Sequence, residues 1–304
     1  MTRYIIRRLL QAVVTLVLMS MLVFSLARLT GNPIDLMLSP YATAEQQAAM
    51  AKEMGLDRPL PEQYWSFLSD AVQGDLGESL YYKRSTVGVV AERFGATAEL
   101  GLVAIFFSLF VAIPLGVFSA VNRDTPIDFG GKTVAVLGQS VPNFWLGILL
   151  IEFVAVRWEL LPAGGRGGFL HLLLPAVTLG WFMMAGIMRV TRSAMLDVLD
   201  AEYIKLARIK GVPERWVIWK HALRNALIPV VTFAGIIFAQ LLVGSIIVEH
   251  VFAWPGLGRL AYEAVVQRDF PLLQTIVLVF TLVYIGLNLI VDLTYAWLDP
   301  RIRL

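Results

Sequence analysis

Six uncharged apolar runs, each close to the length needed to cross a bilayer, dominate this chain of 304 residues. A transmembrane helix needs about 20 consecutive apolar residues, and these runs contain 17 to 24 residues without Lys, Arg, Asp or Glu. They are Leu9–Ala27, Leu100–Val121, Thr133–Ile151, Leu172–Met188, Asn225–Val248 and Phe270–Val291. The composition agrees, since 58% of the residues are apolar and 16% are charged, against about 45–50% and about 25% in soluble proteins. The sequence therefore predicts a multi-pass membrane protein.

The membrane spans are predicted to be α-helices. Barrel strands are about 10 residues long and alternate between apolar and polar side chains, whereas a run such as Ala104–Pro114 is apolar at nearly every position. Backbone groups in lipid must be hydrogen-bonded within such a segment, which requires a helix. The predicted fold class is therefore all-α and polytopic, with six transmembrane helices. Prolines within or near the starts of spans are each expected to kink or unwind a helix. These are Pro114, Pro142, Pro175 and Pro229.

The distribution of basic residues predicts the orientation. If the N-terminus is cytoplasmic, fifteen of the 25 Lys and Arg residues lie in inside segments and four lie in the two short outside loops. The long first loop holds the other six, and long loops carry little weight in this rule. We therefore predict that both termini are cytoplasmic. Arg3, Arg7 and Arg8 also resemble the start of a signal peptide, but the apolar run that follows is long, so we expect an uncleaved first helix.

The first outside loop, from about residue 28 to residue 99, is too long to be a bare connection. Thr43 and Gln46 have the spacing of a capping box, and Gly55 is suited to end the helix that follows. Pro61 predicts the first position of a second helix. We interpret this loop as a small lid, which either packs on the spans or contacts an external partner.

The third outside loop contains a turn rich in aromatic residues and glycine. Exposed aromatic side chains on a tight turn mark either the membrane–water interface or a docking surface. The sequence leaves both interpretations open for this turn. Its candidate residues are Phe252, Trp254, Pro255 and Gly256.

The basic segment at 191–224, between the fourth and fifth runs, is the most informative. Asp200 is expected to cap a short helix, basic residues occupy its last turn, and Gly211 supplies the stop. Tyr203 and Ala207 lie one turn apart on one face, where the small residue allows another surface to approach closely. A loop that only sets topology does not require a helix with a signal at both ends. The basic residues of the last turn are Lys205, Arg208 and Lys210.

This segment resembles the EAA loop of ABC-importer permeases, in the form found in the dipeptide/oligopeptide (and nickel) branch. The matching residues are Glu202–Gly211 and Ala226–Pro229, and the interval of 18 from Gly211 to Pro229 is the longer one of that branch. The resemblance covers nearly the whole chain. Further matching segments are Gly55–Leu60, Gly74–Ser79, Val141–Trp145, Phe252–Gly258 and Leu298–Arg301. Two outside segments depart from the family pattern, namely Arg93–Thr97 and Gly31–Pro33.

The resemblance implies a type I importer permease, which forms half of a translocation pathway in the bacterial inner membrane. It implies a second homologous permease, two ATPase subunits that bind ATP and Mg, an extracytoplasmic solute-binding protein and membrane lipid as partners, and no nucleic acid. The ATPase-coupling residues would be Glu202, Tyr203, Ala207, Arg208, Lys210, Gly211 and Pro229. The binding protein would dock at Phe252, Trp254, Pro255 and Gly256. Di- or oligopeptides are the expected solute, with nickel, glutathione and sugars as alternatives.

The expected organisation has three parts. Residues 1–29 form the tail and first helix, residues 30–97 form the lid, and residues 98–304 form a core with five spans. Whether the two permeases of the complex are identical stays open.

The sequence predicts no nucleotide, metal, cofactor or catalytic site in this chain. Gly131, Lys132 and Thr133 match the end of a P-loop, but Pro126 replaces its first glycine and no strand precedes it. Ionisable residues lie near the ends of spans, which argues against a proton-coupled carrier. A self-contained secondary transporter or channel is the alternative function. Uncharged polar residues are candidates for the pathway, with hydrogen bonding between helices as the alternative role. They are Gln139, Asn143, Gln240, Ser245 and Asn288.

Overall fold

The chain is almost entirely helical over the residues that the structure describes. The computed structural model describes residues 2–30, 43–53 and 55–298, and it has no named β-strand within these ranges. Two π-helical segments, Ile151–Arg157 and Val217–Ala222, follow α6 and α9. In chain order the helices are α1 (Thr2–Thr30), α2 (Ala44–Glu53), α3 (Leu60–Val72), α4 (Thr86–Val121), α5 (Pro126–Ser140), α6 (Asn143–Leu150), α7 (Phe169–Leu199), α8 (Glu202–Ile209), α9 (Glu214–Trp216), α10 (Leu223–Val251), α11 (Leu257–Val266) and α12 (Phe270–Leu298).

Five helical stretches are long and apolar enough to cross a membrane. They are Ile6–Leu29, Thr86–Val121, Phe169–Leu199, Glu214–Leu241 and Phe270–Asp292. The all-α prediction is therefore confirmed, and the predicted number of six spans is reached if α5 and α6 together count as one.

The predicted third span, Thr133–Ile151, is divided between two helices instead of being continuous. The α5 and α6 segments are bent by 103° at the break, where Val141 and Pro142 are both extended. Proline has no N–H and disfavours a helical conformation in the residue before it. At the other three prolines, Pro114, Pro175 and Pro229, the helix continues, so these prolines do not unwind it, and a kink at them stays a prediction.

Contacts divide the chain into two compact units, of which the first comprises Met1–Ala96 and Gly256–Gly286. Its predicted capping box is confirmed, because the Thr43 N–H donates to Gln46 Oε1 at 3.0 Å and the Gln46 N–H donates to Thr43 Oγ1 at 3.3 Å. Helix α3 begins one residue before the predicted Pro61. It packs on α1, with the Phe24 and Tyr64 ring centroids 5.5 Å apart.

The second unit comprises Thr97–Pro255 and Leu287–Leu304, and α7 is packed against α5, α6 and α10 within it. Small residues permit this packing. A Cβ added to Gly138 of α5 would lie 2.5 Å from the Ala185 Cβ of α7, and one added to Gly180 would lie 2.8 Å from the Ala104 carbonyl oxygen. Contacts this short leave no room for a side chain. The division that the sequence predicts, at residues 29 and 97, stays a prediction.

Candidate coupling site

The short helix predicted in the basic segment is present as α8, Glu202–Ile209. The predicted cap at its start is wrong, because Asp200 ends α7 and the extended Ala201 precedes α8 without a side-chain cap. The predicted stop is confirmed. Gly211 has φ +76°, a left-handed conformation that glycine adopts without the steric cost a Cβ would bring.

One face of α8 is anchored in an apolar cluster. Ile204 is fully buried and belongs to a cluster with Ala120 of α4, Met195 of α7 and Ala222 just before α10. Ala207, one of the two residues predicted to share a face, is partly buried against the same cluster. The small Ala207 side chain permits this contact, so the close approach expected at that position is made by the chain itself.

A polar contact also joins α8 to the start of α10. The Asn225 amide Nδ2 donates a hydrogen bond to the Tyr203 hydroxyl at 2.8 Å. Asn225 was not among the sequence-predicted coupling residues, although it directly precedes the matching segment Ala226–Pro229. Pro229 lies inside α10 and is exposed. The structure therefore links Tyr203 of the first matching segment to the residue that directly precedes the second.

The charged residues of α8 form two exposed ion pairs. Lys205 Nζ lies 2.8 Å from Glu202 Oε1, and an Arg208 guanidinium nitrogen lies 2.8 Å from Glu214 Oε1. The hydrogen bond to Glu214 raises the pKa of Arg208 further above its usual value, so this side chain stays charged. Exposed pairs of this kind contribute about 0–1 kcal/mol each, and the Arg208–Glu214 pair joins α8 to α9. Lys210 is the exposed residue that ends α8.

The opposite face of α8 carries exposed apolar side chains. Tyr203 is 46%, Leu206 52% and Ile209 83% exposed. Residues three apart lie on the same side of a helix, so these three form one surface, which we call the α8 surface. Leu206 and Ile209 were missed by the sequence reasoning, although their spacing from Tyr203 is itself the signal. A helix that is anchored on one side and apolar on the other is suited to bind a partner protein.

A buried carboxylate ties the start of α5 to α7. Asp128 has no exposed surface, and the Arg192 guanidinium donates to its two oxygens at 2.7 and 2.8 Å. Lys132 Nζ lies 2.8 Å from the same carboxylate, and the Asp124 N–H donates to it at 3.1 Å. No sequence pattern indicated this network, because Arg192 is 64 residues from Asp128. Lys132, the residue of the incomplete P-loop match, is held here in an ion pair.

Comparison with known proteins identifies the family. Residues 112–304 match the family described as binding-protein-dependent transport system inner membrane component. Residues 1–101 match the N-terminal part of a binding-protein-dependent transport system membrane component. The chain belongs to this family of inner-membrane permeases. The family prediction is therefore confirmed, and with it the multi-pass location in the bacterial inner membrane.

Relatives of this permease match it from end to end. It is 43% identical over 304 residues to the glutathione transport system permease protein GsiC of Escherichia coli strain K12, covering 100% of this chain and 99% of that protein. It is 42% identical to the GsiC protein of Shigella flexneri serotype 5b, again covering 100% of this chain and 99% of that protein.

Solved structures support the fold at lower identity. An inward-facing structure of the MetNI methionine ABC transporter matches with a TM-score of 0.61 and 20% identity, covering 69% of this permease and 96% of that chain. An amino acid ABC transporter solved with histidines matches with a TM-score of 0.55 and 15% identity, covering 69% of this permease and 94% of that chain. The fold is therefore that of an ABC-importer permease.

The aromatic turn of the permease differs from the expectation. Phe252 and Trp254 are 1% and 0% exposed, so the prediction that these rings are exposed is wrong. A Cβ added to Gly164 would collide with the Phe252 carbonyl oxygen, and the Gly165 N–H donates to that oxygen at 2.8 Å. The glycine-rich loop before α7 therefore closes over the turn. Pro255 is partly exposed and Gly256 is buried, and docking of a binding protein here stays a prediction.

The pathway candidates lie on four different helices. Gln139 and Asn143 are half-buried on the two sides of the break between α5 and α6. Gln240 is exposed and Ser245 is buried on α10, and Asn288 is half-buried on α12. Two of them therefore flank the 103° bend between α5 and α6, and a role in the pathway stays a prediction for all five. Of the two departing segments, Arg93–Thr97 lies in α4, whereas Gly31–Pro33 lies outside the described residues. Residues 299–301 of the matching C-terminal segment also lie outside them.

Proposed function

We propose that this permease imports short peptides of the glutathione type, driven by two ATPase subunits that dock on the α8 surface. The observation that carries the proposal is the two-sided α8, with Ile204 buried in the bundle and Ile209 exposed on the other side. The identity of 43% with the GsiC permease over the full chain supports the solute class.

The coupling would pass from α8 into the bundle through two contacts. Closure of the ATPase subunits on ATP displaces α8, and Ile204 is packed against residues of α4, α7 and α10. The hydrogen bond between Asn225 and Tyr203 links α8 to the start of α10. Packed helices respond to such a displacement by switching between discrete arrangements. Nucleotide binding then biases the equilibrium between the inward-open and the outward-open bundle.

The remaining parts of the proposal concern topology and partners. Both termini are cytoplasmic, the residues 30–97 form an extracytoplasmic lid, and a solute-binding protein delivers the peptide to that side. A second permease of similar fold completes the pathway, and this chain itself catalyses no reaction. The mass of the purified complex tests the composition of two permeases and two ATPase subunits.

The experiment targets the α8 surface with a charge. Leu206→Asp and Ile209→Asp place a carboxylate on the apolar patch without disturbing the buried side of α8. We expect both variants to lose ATPase subunits during purification of the complex and to lose ATP-driven uptake of labelled glutathione in proteoliposomes. Val266→Asp on α11 is the matched control, because Val266 is 64% exposed and lies outside the α8 surface.

Retention of ATPase subunits and uptake by both α8 variants would refute the coupling role. Uptake of glutathione by this permease without any ATPase would instead favour the secondary transporter. If the complex stays intact and hydrolyses ATP but is stimulated only by a binding protein loaded with another solute, the coupling role stands and the peptide assignment is wrong.

A further inference from the structure

A polar cavity of about 290 Å³ lies in the first unit, beside the end of α1. Charged side chains of both signs line it, Arg28 and Arg58 on the one hand and Asp70 and Asp75 on the other. These four carry no ion pair with one another in the described residues. A cavity with two cations and two carboxylates suits a ligand that itself carries both signs of charge.

Two buried atoms in the wall of this cavity have no hydrogen-bond partner within the described residues. They are Arg28 Nε, a donor, and Gln63 Oε1, an acceptor. A buried polar group without a partner is costly, and such groups in a native protein call for an explanation, such as a ligand or water. An occupant that offers both an acceptor and a donor would satisfy the two atoms together.

An apolar cleft of about 470 Å³ adjoins the polar cavity in the same unit. Gln274 lines both spaces. Aliphatic side chains of α1, α11 and α12 line most of the cleft, among them Leu22, Leu26 and Val277, and Arg268 also lines it. Helices α1 and α12 are long and apolar enough to cross a membrane. Leu22 and Leu26 are half-exposed, so the cleft is accessible from lipid.

We propose that the polar cavity and the apolar cleft together bind one phospholipid with a zwitterionic headgroup, of the phosphatidylethanolamine type. Its phosphate is bound by Arg28 and Arg58, since arginine is well suited to phosphate oxygens. Its ammonium faces Asp70 and Asp75, and an acyl chain lies in the cleft. A purely anionic headgroup would meet the two carboxylates, and a zwitterionic peptide would leave the apolar cleft empty.

The test measures lipid retained by the intact transporter complex. The complex is purified from mixed vesicles of phosphatidylethanolamine and phosphatidylglycerol in equal parts, and bound lipid is quantified by mass spectrometry. We expect wild type to be enriched in phosphatidylethanolamine, and Arg28→Gln and Arg58→Gln each to lower its retention about tenfold, as expected for loss of one charge-assisted hydrogen bond. Lys52→Gln, which changes an exposed lysine of α2 outside the cavity, should have no effect.

A second measurement needs no variant. Phosphatidylethanolamine with a photoreactive group on its acyl chain should label wild type at residues 19–27 and 264–277. Even labelling of all lipid-facing helices would overturn the proposal, as would equal retention of phosphatidylglycerol. Displacement of the lipid by a free dipeptide would show that the cavity is a peptide site.

Discussion

The anchoring of α8 through Ile204 gives the sharpest quantitative prediction. Ile204→Ala removes three buried carbon atoms from a fully buried side chain. At about 0.8 kcal/mol per buried CH₂ this is roughly 2.4 kcal/mol, and the cavity left behind brings the loss within the usual range of about 2–5 kcal/mol. A loss of about 3 kcal/mol in docking of α8 raises the undocked fraction roughly 150-fold, since about 1.4 kcal/mol corresponds to a factor of 10.

Hydrogen exchange of the peptide covering residues 200–213, measured on the purified permease without ATPase subunits so that the α8 surface is uncovered, reports this fraction. We expect Ile204→Ala to speed exchange by about two orders of magnitude and Ile204→Val by about threefold to tenfold, because the latter removes one methyl group at a cost of about 0.5–1.5 kcal/mol. Ile209→Ala is the matched control in the same helix, since Ile209 is 83% exposed. Equal exchange in Ile204→Ala and Ile209→Ala would refute the anchoring of α8 by the apolar cluster.

Three further substitutions test other parts of the structure. Gly211→Val forces a branched residue into φ +76°, which costs roughly 1–2 kcal/mol. It should abolish ATP-driven uptake while the permease still inserts into the membrane. Undiminished uptake would show that the glycine at the end of α8 is not required. Gly138→Ala should lower the melting temperature, because overpacking costs about 1–3 kcal/mol. Gly130→Ala in the same helix should not, because a Cβ added there has no neighbouring atom within 4 Å. Equal melting temperatures of the two variants would argue against close packing of α5 on α7. Asp128→Asn should also lower the melting temperature, because it weakens the hydrogen bonds from Arg192. Asp124→Asn changes an exposed carboxylate and is the control, and its melting temperature should be higher than that of Asp128→Asn.

The helix α8 shows where local signals were sufficient and where they failed. Gly211 marked the end of the helix correctly, because a positive φ is a local backbone requirement that glycine meets. Asp200 was wrongly assigned to the start of α8, because the long α7 continues to Leu199 and Asp200 caps its C-terminal end. A capping residue between two helices can serve either of them, and the competition is decided by the packing of the longer helix.

The prediction of an exposed aromatic turn failed because it considered one segment alone. Aromatic residues beside glycines are typical of a surface turn, yet Phe252 and Trp254 are buried because the separate Gly164–Gly165 segment folds over them. The run Thr133–Ile151, by contrast, is divided at Pro142, where the sequence predicted a kink or local unwinding. Periodicity and length describe one segment at a time, and neither contains the position of a distant segment.

The membrane class, the all-α fold and the short basic-segment helix were predictable from local properties, namely length, hydropathy and glycine stops, and the resemblance of several motifs indicated the family. The buried face of α8, the hydrogen bond from Asn225 to Tyr203 and the contact of Asp128 with Arg192 became known from the folded chain. These contacts join residues 22 and 64 positions apart. Their partners are selected by helix packing, and a linear pattern carries no information about which helices become neighbours.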